Sequence, residues 1–445
     1  MARDMPSIFA DGFKAEPWWW QDAPLSDGPV EALPQEAEIV VVGSGYAGTC
    51  CALRLAEGGR DVLVLDADPI GFNASSRSGG QVTGGVNVGK SLAHKPVSDA
   101  RRAALLSDAS KALRFFEDVI ARHGIDCDYH AKGRLVGFWT PAHAESWTKR
   151  IDELNAIAGS QARLVGREEA REALGSDFYW GGVAIERAGH IQPARYHAGL
   201  VRAARGSGAA FRGRTRVLSV APAGGGFRVE TERGPVAARQ VVMATNAYTG
   251  AHAYGLAPDL RRGIVPVSTQ MIATEEMPAD LAARILPSDR GVSESRRVIA
   301  HYRKSPDGCR LLFGGRATFF PLSVPRIATL LHRAMVRRFP EMAGVRIANA
   351  WGGKVAMTMD RLPHIGGGGG RYFVAGCQGS GITMMSYLGD SLAAKILSGD
   401  DRAPVNAYDT GLPPRHPLYD GTSWFMPAIG SWYQIQDRME RRPTT

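Results

Sequence analysis

Three glycines and an acid carry the first chemistry legible in the chain. Gly43-Ser44-Gly45-Tyr46-Ala47-Gly48 is a GxGxxG loop, and Asp66 follows its first glycine by 23 residues. In such loops the first glycine permits a tight turn, the second lets the backbone approach a pyrophosphate, and the third lets a helix pack on a strand. An acid about 20 residues further on meets the hydroxyls of an adenosine ribose. A second glycine- and serine-rich stretch, Ile70 to Gln81, holds a single arginine, Arg77. Taken alone it also has a bland reading, as a solvated linker. A third, Cys377-Gln378-Gly379-Ser380-Gly381-Ile382-Thr383, stands late in the chain.

These groups need elements to hold them. Ala37 to Val42 is an apolar run short enough for a buried parallel strand. Thr49 to Glu57 keeps helical period and stops at Gly58-Gly59, and Asp61 to Leu65 reads as a second strand ending at Asp66. Strand, loop, helix, strand and acid come in the order of a dinucleotide-binding βαβ unit, whose helix N-terminus and dipole receive phosphates.

The segment Asn73-Ala74-Ser75-Ser76-Arg77-Ser78-Gly79-Gly80 resembles the G-A-S-x-R-x-G-G stretch of the FAD-dependent amine and amino-acid oxidases. That superfamily includes D-amino-acid oxidase, glycine oxidase and sarcosine oxidase, and the closest likeness is to its γ-glutamylputrescine oxidase branch. Gln240 to Tyr248 is similar to the family's strand and V-x-A-T-N-A-Y signature, and the loop 377–383 to its C-terminal G-x-G loop. The resemblance implies an α/β fold in which a Rossmann-like FAD-binding domain is interleaved with a substrate domain built on a mainly antiparallel sheet with helices. It implies FAD, bound non-covalently, on Gly43, Ser44, Gly45, Tyr46, Ala47, Gly48, Asp66 and Ala67 of the first unit. Asn73, Ala74, Ser75, Arg77, Gly79, Gly80 and Gln81 follow in the second loop; Val217, Ala244, Thr245, Gly353, Gly379, Gly381, Ile382 and Thr383 complete the expected set.

Chemistry follows from that cofactor. An amine with a C–H on its nitrogen-bearing carbon passes hydride to flavin N5, and the imine hydrolyses to an aldehyde or ketone plus amine or ammonia. Oxygen is the expected acceptor, reduced to hydrogen peroxide. The alternative is a flavin dehydrogenase that passes electrons from an amine or amino acid to a quinone or partner protein. A nucleotide-binding protein without catalysis is a third possibility.

Four departures from sarcosine oxidase shape the expectation. Its two basic residues that meet the substrate carboxylate match Val82 and Thr383, which disfavours a small α-amino acid held against the flavin. A primary or secondary amine with polar groups further out, as in γ-glutamylputrescine, fits better. Its flavin-bonding cysteine matches Gly353, and its oxygen-activating lysine matches Leu312. Lys354 is therefore the catalytic candidate for oxygen; a lysine in solvent or paired with a carboxylate is the competing reading. His190 is similarly two-sided, a base or a structural histidine.

Composition narrows the class. The 445 residues suffice for two or more cores, and 44% hydrophobic with 22% charged residues suits a globular enzyme. The net charge of +9 is spread along the chain, without the concentrated patch of a nucleic-acid binder. No credible membrane span or secretory leader is seen, and a cytoplasmic location is expected. Five scattered cysteines show no CxxC spacing, so neither a disulfide framework nor a metal site is expected. Oligomeric state stays open.

The domain reading is discontinuous. Residues 1–36 form an N-terminal arm, of which 12–36, with Trp18-Trp19-Trp20, read as irregular and either pack on the body or present a peptide-binding surface. Residues 37–91, 184–262 and 350–400 form the FAD domain; 92–183 and 263–349 form the substrate domain; 401–445 form a C-terminal extension.

Overall fold

A computed structural model describes residues 8–26, 31–92, 96–250 and 256–441; the ends of the expected arm and C-terminal extension lie outside them. Two large sheets organise those residues. The eight-stranded sheet has a parallel centre, with the strand Glu36–Val42 between Val62–Leu65 and the second half of Gly234–Met243. The first half of Gly234–Met243 instead continues the antiparallel hairpin made by Val217–Ala223 and Gly226–Thr231. The helix Tyr46–Glu57 buries every residue but Arg54 and Glu57, between that sheet and the helices Pro193–Gly206 and Ser386–Ser398.

The nine-stranded sheet is mainly antiparallel and bears its own core, in which Tyr302, Phe313 and Phe339 are fully buried beneath the helix Val324–Val336. Its widest partnership joins Ile264–Thr274 to Ile347–Thr358 over the length of both strands. The long helix Asp99–Arg122 is capped by Ser98, whose hydroxyl accepts from Arg101 N–H at 3.3 Å.

Two elements differ from expectation. Phe9–Lys14 is a strand that pairs in parallel with Ile347–Thr358, so the arm is not wholly irregular. Residues 350–358, grouped by sequence with the FAD-binding blocks, belong to the nine-stranded sheet. Gly352 and Gly353 hide that strand, because glycine weakens a strand interior and gives no alternation to read.

The tryptophan cluster packs inward. Trp19 is fully buried and donates its indole N–H to Ser78 O at 2.9 Å; Trp20 donates to Ser76 Oγ at 2.9 Å. From the other sheet, Trp351 donates to Arg77 O at 2.8 Å. Three indoles thus fix three consecutive residues of the second glycine-serine loop. Trp19→Ala should lower unfolding free energy by about 3–5 kcal/mol, the usual cost of deleting a buried aromatic, measured by urea denaturation at unchanged m-value.

Candidate active site

The glycine loop is built with almost no slack. Gly43 has φ +107°, and a Cβ there would stand 2.8 Å from Ala244 O. A Cβ on Gly48 would stand 1.9 Å from Gly43 O. At Gly45 the nearest atom is Ser75 Oγ, 3.1 Å from a hypothetical Cβ, and Gly45 itself has no side chain to cap the helix that follows. Internal packing thus requires Gly43 and Gly48, whereas Gly45 has no comparable backbone clash.

Asp66 organises the same turn. Its Oδ2 accepts from Ser44 N–H at 2.8 Å and from the Ser44 hydroxyl at 2.6 Å, and its Oδ1 accepts from Asp68 N–H at 3.1 Å. Desolvation raises its pKa, and the Ser44 donors oppose that shift. Sequence reasoning gave this carboxylate a ribose; the structure adds a second task, holding Ser44 in place. Tyr46 is buried against Tyr196 and His197, and its N–H reaches Ser75 Oγ at 3.1 Å. Ala47 meets the helix Ser386–Ser398, where a Cβ on Gly389 would lie 2.1 Å from Ala47 O. Ala67 follows Asp66 half-buried.

The second loop runs between the sheets. Asn73 donates to Asp68 Oδ2 at 2.8 Å, and Ala74–Ser76 form one 3-10 turn. Arg77 donates to Phe72 O at 2.6 Å and Gly352 O at 3.2 Å, with its guanidinium 4.3 Å from the Phe72 ring centre and 4.7 Å from that of Trp20, two rings that also touch each other. Burial lowers the pKa of Arg77. Gly79 lies over His301 and Met271, while Gly80, at φ +72°, leaves no room for a side chain beside Ile191 O. The Gln81 side-chain amide donates to Val292 O at 2.9 Å, and its backbone pairs with His190.

The later segments close round the first. Ala244 and Thr245 abut Gly43, and Val217 is buried next to the turn in which Thr215 N–H donates to Asp66 O. Gly376 N–H donates to Asn246 Oδ1 at 2.9 Å, and Gln378 N–H to Ala356 O at 3.0 Å, tying the last loop to the long strand. Ile382 and Thr383 are buried, with Thr383 Oγ1 donating to Thr83 O at 3.0 Å. Gly353 and Gly379 have no atom within 4 Å of where a side chain would begin, and Gly381 has only Cys377 Cβ at 4.0 Å.

These residues fit a dinucleotide flavin. Bare glycines with open space border a cradle, the helix Tyr46–Glu57 starts on a glycine with no capping side chain of its own, and Gly353 has no side chain to bond the cofactor covalently. Val82 and Thr383 offer no cation, and Leu312 is buried among Trp19, Met271 and Trp351. Lys354 pairs across the sheet with Ser268 and holds its Nζ 5.5 Å from the centre of the Tyr248 ring. It forms no ion pair among the described residues.

His190 is buried, and its Nε2 lies 3.0 Å from Asp289 O; desolvation drives its pKa down to about 2. His130 and Asp289 complete a close trio with it. Sequence reasoning expected no metal and did not foresee this grouping, whose members are far apart in the chain. It also missed Trp351, Arg134, His301 and Arg316. The last two belong to different strands, so only the register between those strands relates them.

The chain matches the family model described as FAD dependent oxidoreductase over residues 38–395. It is 30% identical to gamma-glutamylputrescine oxidoreductase of Escherichia coli (strain K12) over 410 residues, 90% of this chain and 93% of the relative. It is 29% identical to the probable oxidoreductase OrdL of Haemophilus influenzae over 380 residues, 83% of this chain and 85% of the relative. Its fold is shared with L-proline dehydrogenase from P. horikoshii, at a TM-score of 0.70 and 21% identity over 85% of this chain and 97% of that one.

The contrast between the glycines is testable. Gly48→Ala should destabilise the protein by about 1–3 kcal/mol or more, as overpacking does, in chemical denaturation. Gly45→Ala should leave the apoprotein's melting temperature nearly unchanged yet weaken FAD about tenfold, a loss of ~1.4 kcal/mol, in fluorescence titration.

Proposed function

Because the chain belongs to the family of FAD-dependent oxidoreductases, we propose that it oxidises a primary or secondary amine whose polar groups lie away from the reacting nitrogen, with oxygen as acceptor. The observation that supports this reading is the contrast at the cofactor cradle: glycines line it, while Val82 and Thr383 are buried and uncharged where relatives hold a substrate carboxylate. The similarity to gamma-glutamylputrescine oxidoreductase points the same way.

When bound, FAD supplies the two-electron acceptor for the amine's C–H bond. The chain's own work is to orient, exclude water and place charge. In our reading the eight-stranded sheet and its loops hold the cofactor and the nine-stranded sheet forms the substrate side. The long strand Ile347–Thr358 serves both, through Gly353 and Lys354. Asp66 then takes the ribose while keeping Ser44, and Arg77 braces the second loop against Gly352.

Anaerobic addition of a polyamine derivative should bleach the purified yellow protein, and air should restore the colour with one hydrogen peroxide per turnover. Restoration by a quinone without peroxide would move the assignment to a dehydrogenase. No bleaching by any amine would remove the amine reading.

Lys354 is assigned the negative charge that develops as oxygen is reduced, since a preorganised cation stabilises such charge most in a site closed to water. Lys354→Met should slow reoxidation by oxygen about 100-fold or more, as loss of a key electrostatic group does, while leaving anaerobic reduction by the amine nearly intact in stopped-flow absorbance. Equal loss of both half-reactions would make Lys354 a substrate-binding residue.

A further inference from the structure

The face of the nine-stranded sheet that meets the second loop carries an unusual row. Directly paired residues share a face, so Trp351, Met271, Gly314, His301 and Ser293 line up across five strands. His301 sits under the loop, 3.0 Å from where a Cβ of Gly79 would be. A Cβ on Gly314 would stand 2.6 Å from His301 Nε2, so the glycine makes room for the imidazole. Arg316 comes two residues after Gly314, one past the end of that strand, and lies close enough to His301 to act on its charge. Ser293 Oγ receives Arg134 from the next strand, through Nε at 3.1 Å and Nη2 at 2.6 Å.

Two guanidinium groups and an imidazole therefore lie together here. His301 is held down to a pKa of about 4, first by desolvation and then by Arg134 and Arg316, so it is neutral at pH 7. Burial also lowers Arg134, to about 10, and Arg316. Arg134 spends two donors on an uncharged hydroxyl. Arg316 has no hydrogen bond or ion pair among the described residues; Tyr433 of the C-terminal helix lies near it. Glu294, next to Ser293 in sequence but on the opposite face, is fully buried with Arg338, Arg296 and Tyr179. All three groups are half-buried rather than sealed, in contrast to Arg303, which is 1% exposed beneath Trp19.

A cation taken out of water without a counter-ion is costly, and planar arginines match a carboxylate well. We propose that Arg316, with Arg134 and His301, forms a subsite for a carboxylate that the substrate carries several bonds away from the reacting amine. This rests on the amine-oxidising reading and narrows it to amines with a remote acid group. Thr269 lies between Gly353 and the end of the strand that carries Arg316, so the two are about 10 Å apart, two inter-strand spacings. An α-amino acid is too short to span that gap.

The test uses the holoenzyme, with 5-aminopentanoate and its amide, 5-aminopentanamide, in anaerobic flavin reduction. The carboxylate should show an apparent Kd at least about tenfold below that of the amide. Arg316→Gln, with matched FAD content and melting temperature, should bring the ratio close to one through weaker carboxylate binding, and Arg316→Lys should restore part of it. Equal affinities in the wild type, or equal loss of both ligands in the variant, overturn the proposal. If neither amine bleaches the flavin, the amine reading is decided separately by the wider amine panel, and glutarate decides the subsite. A flavin difference spectrum with glutarate in the wild type but not in Arg316→Gln upholds it, and no spectrum in the wild type overturns it.

Discussion

No clearance remains where the first helix crosses the first strand, and the site is referenced to that crossing. Gly48 lies against Gly43, Gly43 against Ala244, and Ala47 against Gly389. Three segments far apart in sequence are thereby held at backbone contact, with no flexible side chain between them to absorb error. Close packing of this kind transmits position: moving any one segment moves the N–H groups at the helix start. Asp66 adds a polar lock by holding both donors of Ser44.

The second sheet solves a different problem, keeping a binding face rigid while its charges stay available. Its rigidity is concentrated on the opposite face, where Tyr302 stacks on Phe313 and Tyr179 joins Tyr302 to Glu294. Burial alone would raise the Glu294 pKa, but Arg338 and Arg296 outweigh it and hold it to about 2. Relative to an unfolded carboxylate, that depressed value contributes stability above the ordinary carboxylate range, lost as pH falls toward 2. Saturated charge on one face and unsaturated charge on the other divide the sheet between support and recognition.

Much of this was legible in the sequence, and what was not has physical reasons. The βαβ unit, the Ser98-capped helix and the hairpin at Gly224-Gly225-Gly226 depend on local signals: glycine where a turn needs it, period where a face is buried. The Phe9–Lys14 strand depends on a partner more than 330 residues away and has little apolar pattern of its own. Ile347–Thr358 conceals itself behind two glycines. The row of His301 and Arg316 needs register, because alternation says that two residues share a face without saying whether it meets solvent or a cofactor loop.

The indoles that hold the second loop have a consequence for how the protein is made. Trp19 and Trp20 emerge early in synthesis, their loop follows some 60 residues later, and Trp351 arrives only when most of the chain exists. The arm must therefore wait, with three adjacent aromatic rings uncovered, until the long strand can pair with it. Contacts of such sequence separation form slowly because loop closure precedes any gain from them. The helix Ser386–Ser398, which packs on the first glycine loop through Gly389, is made later still, so the arm and that loop both complete their packing only near the end of synthesis.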